Sequence, residues 1–158
     1  MARVETSVEI AAPAEVVFAF FVPKRMPYWY GADMQAAFDV QDGASDFAVA
    51  RKVRIAGNLG EREVSHTAVV TALEQGRLFE WRFSDRYGVK GLERWQIERV
   101  AAAASERPAK TIVRMLSDYT MPGRVGRALD WLVTRHAVAR RNRGYLARLK
   151  RYAEHGPE

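Results

Sequence analysis

The chain contains no cysteine. That removes disulfides and thiolate nucleophiles, and leaves zinc only histidine and carboxylate ligands. Histidine is scarce as well. His66, His136 and His155 fall on different expected elements, so no metal site is expected. No apolar run is long enough for a signal peptide or a bilayer span, which points to a cytoplasmic location. The sequence also lacks a phosphate-binding glycine loop, a nucleophile elbow and metal-ligand spacing. The chemistries those motifs support are therefore not expected, and no cofactor is implied.

What is present is apolar and basic. With 158 residues, 48% of them hydrophobic, the chain is long enough to form one globular domain over 1–158 with a sizeable core. The formal charge is +6. Much of the excess lies late in the chain, at Arg124, Arg127, Arg135, Arg140, Arg141, Arg143, Arg148, Lys150 and Arg151. Such a run reads as a solvated basic face, or as one drawn to an anionic membrane surface. No nucleic-acid motif accompanies it, so no nucleic-acid partner is expected.

The last third organises the rest. Pro122-Gly123 opens a stretch with no further proline until Pro157. Proline is tolerated in the first turn of a helix and breaks its interior. The spacing predicts one helix over 121–152, about 45 Å long at 1.5 Å per residue. Trp131, Val138, Tyr145 and Tyr152 recur every seventh position beside Asn142 and Leu149, a stripe to be buried along the whole length. A second, shorter stripe of Val125, Leu129, Leu132, Val133 and His136 lies far around the helix. It needs another cover: a partner subunit, the short segment 23–31, or a membrane.

Before the helix the period is two. Val4, Thr6, Val8 and Ile10 form a half-buried first strand. Two short helical pieces follow, one after Pro13 and one around Tyr28-Trp29-Tyr30, stopped by Gly31. Six more strands are then expected at 34–40, 47–55, 62–72, 78–85, 89–100 and 111–119, joined by tight turns and by a loose alanine-rich link at 101–108. Hairpin succession implies an antiparallel sheet. The expected fold is α+β: a curled seven-stranded antiparallel sheet around a long C-terminal helix, with two short helices after strand 1.

Several stretches carry a resemblance: residues 8–18 with their Ala12-Pro13 start and Val17-Phe18, the aromatic pair Trp29-Tyr30, Thr111-Ile112-Val113, the run from Tyr119 to Gly123, and Tyr145 to Lys150. On these the chain resembles the helix-grip fold of the START-like, or SRPBCC, superfamily, in its bacterial polyketide cyclase/dehydrase branch. The resemblance spans nearly the whole chain. It implies an apolar cavity between sheet and helix, in a family that includes cyclases and carriers of lipids or quinones.

Strand parity then proposes a site. If the turn at 57–60 is centred between Asn58 and Leu59, Arg51 faces His66; the turn at Gln75-Gly76 sets His66 opposite Asp85. An Arg51–His66–Asp85 row on the concave face could hold His66 charged or orient it as a base. Glu93 is a second inward polar group, next to Trp81 and Ser117 by the same counting. A carboxylate among apolar groups has a raised pKa unless paired; Arg127 or Arg135 could pair with it. Strand spacing separates His66 from Glu93 by more than about 10 Å, so a single acid–base pair is not expected. Trp81, Trp95, Val113, Tyr119 and Trp131 would wall a cavity suited to a flat, ring-bearing ligand. Three functions follow: a binder of a hydrophobic small molecule, an enzyme of the cyclase/dehydratase kind using His66 or Glu93, or a module that meets a membrane or partner through its basic helix.

Overall fold

A computed structural model describes residues 2–100, 109–129 and 133–156. Seven strands form one sheet: β1 (Ala2–Ile10), β2 (Ala37–Val40), β3 (Lys52–Leu59), β4 (Arg62–Glu74), β5 (Leu78–Asp85), β6 (Lys90–Arg99) and β7 (Thr111–Thr120). Their order is β1-β7-β6-β5-β4-β3-β2. Every pairing is antiparallel, and the first strand closes against the last. Helices α1 (Ala14–Phe18) and α2 (Met26–Trp29) follow β1, and α3 (Gly123–Leu129) and α4 (Arg135–His155) follow β7. This is the expected helix-grip arrangement, an unclosed sheet curled around the C-terminal helix.

The alternation of apolar and polar residues explains the sheet. Ala2, Val4, Thr6 and Ile10 of β1 are buried while Arg3, Glu5 and Ser7 are exposed, as a strand with one face on a core requires. On β5 and β6, Phe79, Trp81, Trp95 and Ile97 turn inward. Phe79 and Trp95 meet Phe21, just past α1, and Trp29 of α2 at ring separations between 5.7 and 6.0 Å. Edge-to-face packing of this kind adds to simple burial.

Helix α4 covers this face with Asn142, Tyr145, Leu146 and Leu149, all buried. Its far end is fastened to the start of the chain. Lys150 Nζ donates to the Glu9 carbonyl at 2.8 Å, and Glu154 accepts the Ala11 amide at 2.9 Å. Val138 and Tyr152 of the predicted stripe are half-buried, and Trp131 lies outside the described residues.

Three expectations change. First, β2 begins at Ala37 rather than at 34: Ala32–Met34 form a 3-10 turn and Gln35 is left-handed at φ 50°. The Met34 carbonyl then lies so close that a Cβ at Gly57 would sit 2.5 Å from it, which only glycine tolerates. Second, the stretch 47–51 is not strand. Ala50 is left-handed at φ 70°, and β3 starts at Lys52. Third, the β3–β4 hairpin turns at Gly60-Glu61, with Leu59 opposite Arg62. His66 therefore faces Ile55, not Arg51. The slip is four residues; because four is even, the side chains within β3 and β4 keep their predicted faces. The predicted link at 101–108 lies outside the described residues.

Candidate functional site

A cavity of about 250 Å³ lies between the sheet and α4. Strand parity brings Val64 and His66 of β4, Phe83 of β5, Glu93 of β6, and Ser117 and Tyr119 of β7 to its inner wall. Val138, Arg141 and Tyr145 come from α4, at spacings of three and four that share one helix face. Tyr30, just past α2, and Met34 close one side.

Glu93 sits at the wall with 1% of its surface exposed. A buried carboxylate without partners costs several kcal/mol, and this one is held by donors. Tyr30 Oη donates to Oε2 at 2.7 Å and Trp81 Nε1 donates to the same oxygen at 2.8 Å. The Arg141 guanidinium lies 3.9 Å from Oε1. It also covers the Tyr145 ring at 5.7 Å. The Arg141 side chain is 44% exposed, so its pull on Glu93 is weakened by solvent.

The phenols respond to this setting. Burial, reinforced by the Glu93 charge, holds the Tyr30 hydroxyl well above its ordinary pKa. Burial does the same for Tyr145, against the opposing pull of Arg141. Both therefore stay protonated and can donate. For Arg141, burial lowers the pKa, but Tyr145 and Glu93 outweigh it and keep the group cationic.

His66 faces the same cavity, 5.9 Å from the Phe83 ring. Burial lowers its pKa; Arg141 adds to this, while Glu93 and Asp85 oppose it. The imidazole is neutral at pH 7 and can act as an acceptor or a base. Asp85 pairs with His66 across the ladder, as expected. Its Oδ1, however, accepts the amides of Tyr87 at 2.8 Å and Val89 at 2.9 Å. It caps the β5–β6 turn and is not a relay for the histidine.

Other sequence-derived site residues divide. Glu93 lies beside Trp81 and Ser117 in the ladder. Asn142 Nδ2 donates to Ser117 Oγ at 2.8 Å, fixing that hydroxyl from the helix side. Trp81 stands behind Glu93 rather than in the wall. Trp95 and Val113 are wholly buried in the packed core, because the short helices fill that end of the sheet. Arg51 is elsewhere: it lies before β3 and donates to the Asp46 carbonyl at 2.6 Å. The three-residue row thus dissolves. The arginine beside Glu93 is Arg141; Arg135 instead donates to the Arg3 carbonyl at 3.3 Å, and the Arg127 side chain lies outside the description. His66 and Glu93, not expected to form a single acid–base pair, both line this cavity. Tyr30, Arg141 and Tyr145 were missed as site residues. Helical counting from Val138 could have placed Arg141 on the cavity face; nothing in the sequence ties Tyr30 to Glu93.

Among the described residues, no group of three or more potential ligands could hold a metal. No described helix is long and apolar enough to cross a membrane.

The family described as polyketide cyclase / dehydrase and lipid transport matches residues 1–154. No functionally curated protein matches the chain. Among solved structures, DynU16, a putative protein in the dynemicin biosynthetic locus, is similar at TM-score 0.66 and 18% identity, over 98% of this chain and 48% of its own. The chain thus spans about half of that protein. The di-domain ARO/CYC BexL from the BE-7585A biosynthetic pathway aligns at 0.65 and 20% identity, over 95% of this chain and 45% of BexL. The hypothetical protein jhp0584 from Helicobacter pylori aligns at 0.72 and 12% identity, over 97% and 88%. At these identities the likeness is one of fold.

Proposed function

The chain belongs to the polyketide cyclase / dehydrase and lipid transport family, and from that premise we propose that it binds a hydrophobic, ring-bearing small molecule between sheet and α4. The ligand class is a lipid, quinone or polyketide-like compound. The observation that carries this reading is the composition of the cavity: apolar and aromatic walls around one buried, donor-bound carboxylate. Ligand pockets combine those features, with few polar groups fixing orientation. At about 250 Å³ the space sits just below the usual range of roughly 300–1,000 Å³, so a compact ligand fits best.

Native mass spectrometry of the purified protein tests the proposal. Wild type should retain an apolar molecule, and Val138→Trp, which fills the cavity from α4, should not. Wild type that retains nothing, and whose tryptophan fluorescence ignores added aromatic probes, would remove the reading.

A second reading is favoured by one observation: a neutral imidazole and a carboxylate share the cavity. In that case His66 or Glu93 moves protons on a bound substrate, as in a cyclase or dehydratase, while the walls fold it. His66→Asn and Glu93→Gln variants that keep the ligand with no loss of any turnover would leave carriage alone. The protein is proposed to work in the cytoplasm, and its basic helix to contact a second copy or a membrane surface.

A further inference from the structure

The two oxygens of Glu93 are not equally occupied. Oε2 accepts from both Tyr30 and Trp81, while Oε1 has only the Arg141 guanidinium, at 3.9 Å. That distance is too long for a hydrogen bond. An acceptor oxygen and a set of N–H donors therefore stand side by side at the cavity wall with their direct contact unmade. Glu93 lines the cavity, so a ligand group there can reach the oxygen that Tyr30 and Trp81 leave open.

The charges decide what kind of group. The cavity wall holds two carboxylates, Glu93 and Asp85, against one guanidinium, Arg141, and the His66 imidazole is neutral because it is buried. A carboxylate ligand would enter a wall already richer in carboxylate, and would be desolvated as it did so. A cationic ligand would meet Arg141, which already occupies the face of Tyr145. A hydroxyl avoids both penalties. It donates its proton to Glu93 Oε1 and accepts from Arg141 with its own lone pairs. The bond to the carboxylate is charge-assisted and so among the stronger kinds.

We infer that the cavity selects a neutral, ring-bearing ligand carrying a phenol or enol hydroxyl, received by Glu93 Oε1 and Arg141 together, and that it discriminates against carboxylates. This rests on the binding reading above and specifies its ligand. The remaining wall agrees: Met34, Val64, Phe83 and Val138 give apolar surface against an aromatic body.

Calorimetric titration at neutral pH with three naphthalene probes, naphthol, its methyl ether and naphthoate, tests it. The rings are the same and only the polar group changes. Naphthol should bind roughly tenfold or more tighter than the ether, the value of a charge-assisted hydrogen bond, and naphthoate should be the weakest. In Glu93→Gln the advantage of naphthol over the ether should shrink several-fold while the ether is little affected. Equal binding of naphthol and ether to wild type overturns the hydroxyl selection and leaves the binding reading intact. Tighter binding of naphthoate overturns it in favour of anion capture by Arg141. If none of the three binds, the cavity reading itself fails. The wild-type comparison needs no variant, so a misfolded Glu93→Gln does not blunt the test.

Discussion

At the scale of single residues, His66 and Tyr30 make opposite contributions to the site. The His66 pKa is lowered, chiefly by burial. In the unfolded chain the imidazole returns to about 6.5 and binds protons more readily than in the fold. Stability therefore rises with pH where the unfolded state holds the extra proton. The His66 contribution should be complete above about pH 6.5 and lost as the pH falls from there through the lowered pKa of the folded state. His66→Gln should flatten the acid limb of a plot of melting temperature against pH and leave the alkaline side unchanged. Identical acid limbs for both proteins would refute the assignment. Tyr30 acts by donation. Tyr30→Phe keeps the ring but removes one of two hydrogen bonds to Glu93 Oε2. It should cost about 1.5–3 kcal/mol, the value of a bond to a charged group, in denaturant unfolding. A cost below about 0.5 kcal/mol, typical of a neutral surface change, would mean that Glu93 does not rely on that donor.

These residues also mark how far the sequence could be read. The place of Glu93 beside Trp81 and Ser117 followed from alternation and tight turns, because side chains on adjacent strands are locked by register. The His66–Asp85 pair followed in the same way. The use to which Asp85 is put did not, since the amides of Tyr87 and Val89 that occupy it belong to the local shape of a turn. Tyr30, just past the end of α2, reaches Glu93 from 63 positions earlier in the chain. No period relates two such elements; their meeting is set by how α2 packs under α4.

At the scale of elements, strands joined by short turns were legible and the irregular stretch before β3 was not. β5 runs over Leu78–Asp85, the span its alternation predicts. Before β3, the apolar residues Phe47 and Val49 imitate a strand. The chain instead turns at Ala50 to put Phe47 against Phe79 at 5.1 Å and leave Val49 59% exposed. Tertiary packing outweighs local pattern there. Helix α4 is nearer the opposite case: Asn142, Tyr145 and Leu149 of the predicted stripe are buried, and Leu146, outside it, joins them. Tyr145 is 2% exposed and lies 4.8 Å from the Tyr30 ring. Tyr145→Ala should cost roughly 3 kcal/mol, as removal of a buried aromatic does, and should also enlarge the cavity it lines. Chemical denaturation reads the first effect, and a shift of ligand preference toward bulkier rings reads the second. A cost below about 1 kcal/mol would mean that α4 is not gripped as described.

At the scale of the whole molecule, the second stripe of the C-terminal helices stays on the surface. Val125 is 73% and Val133 62% exposed, and Arg124, Arg135 and Arg140 around them are exposed too. Leu132 and the Leu129 side chain, which the stripe also includes, lie outside the description. Two valines are too little apolar surface to anchor firmly in lipid, which favours self-association over a membrane. Salt separates the two. A second copy docked on this face brings arginines toward arginines, so screening, over about 10 Å at 0.1 M salt, should strengthen the contact. Attraction to an anionic bilayer would weaken under the same change. The expected outcome in sedimentation is weak self-association that grows with salt and disappears in Val125→Glu with Val133→Glu, whose fold and melting temperature should stay near those of wild type. Binding to anionic vesicles that fades with salt, from a protein that remains monomeric throughout, would assign the face to a membrane instead.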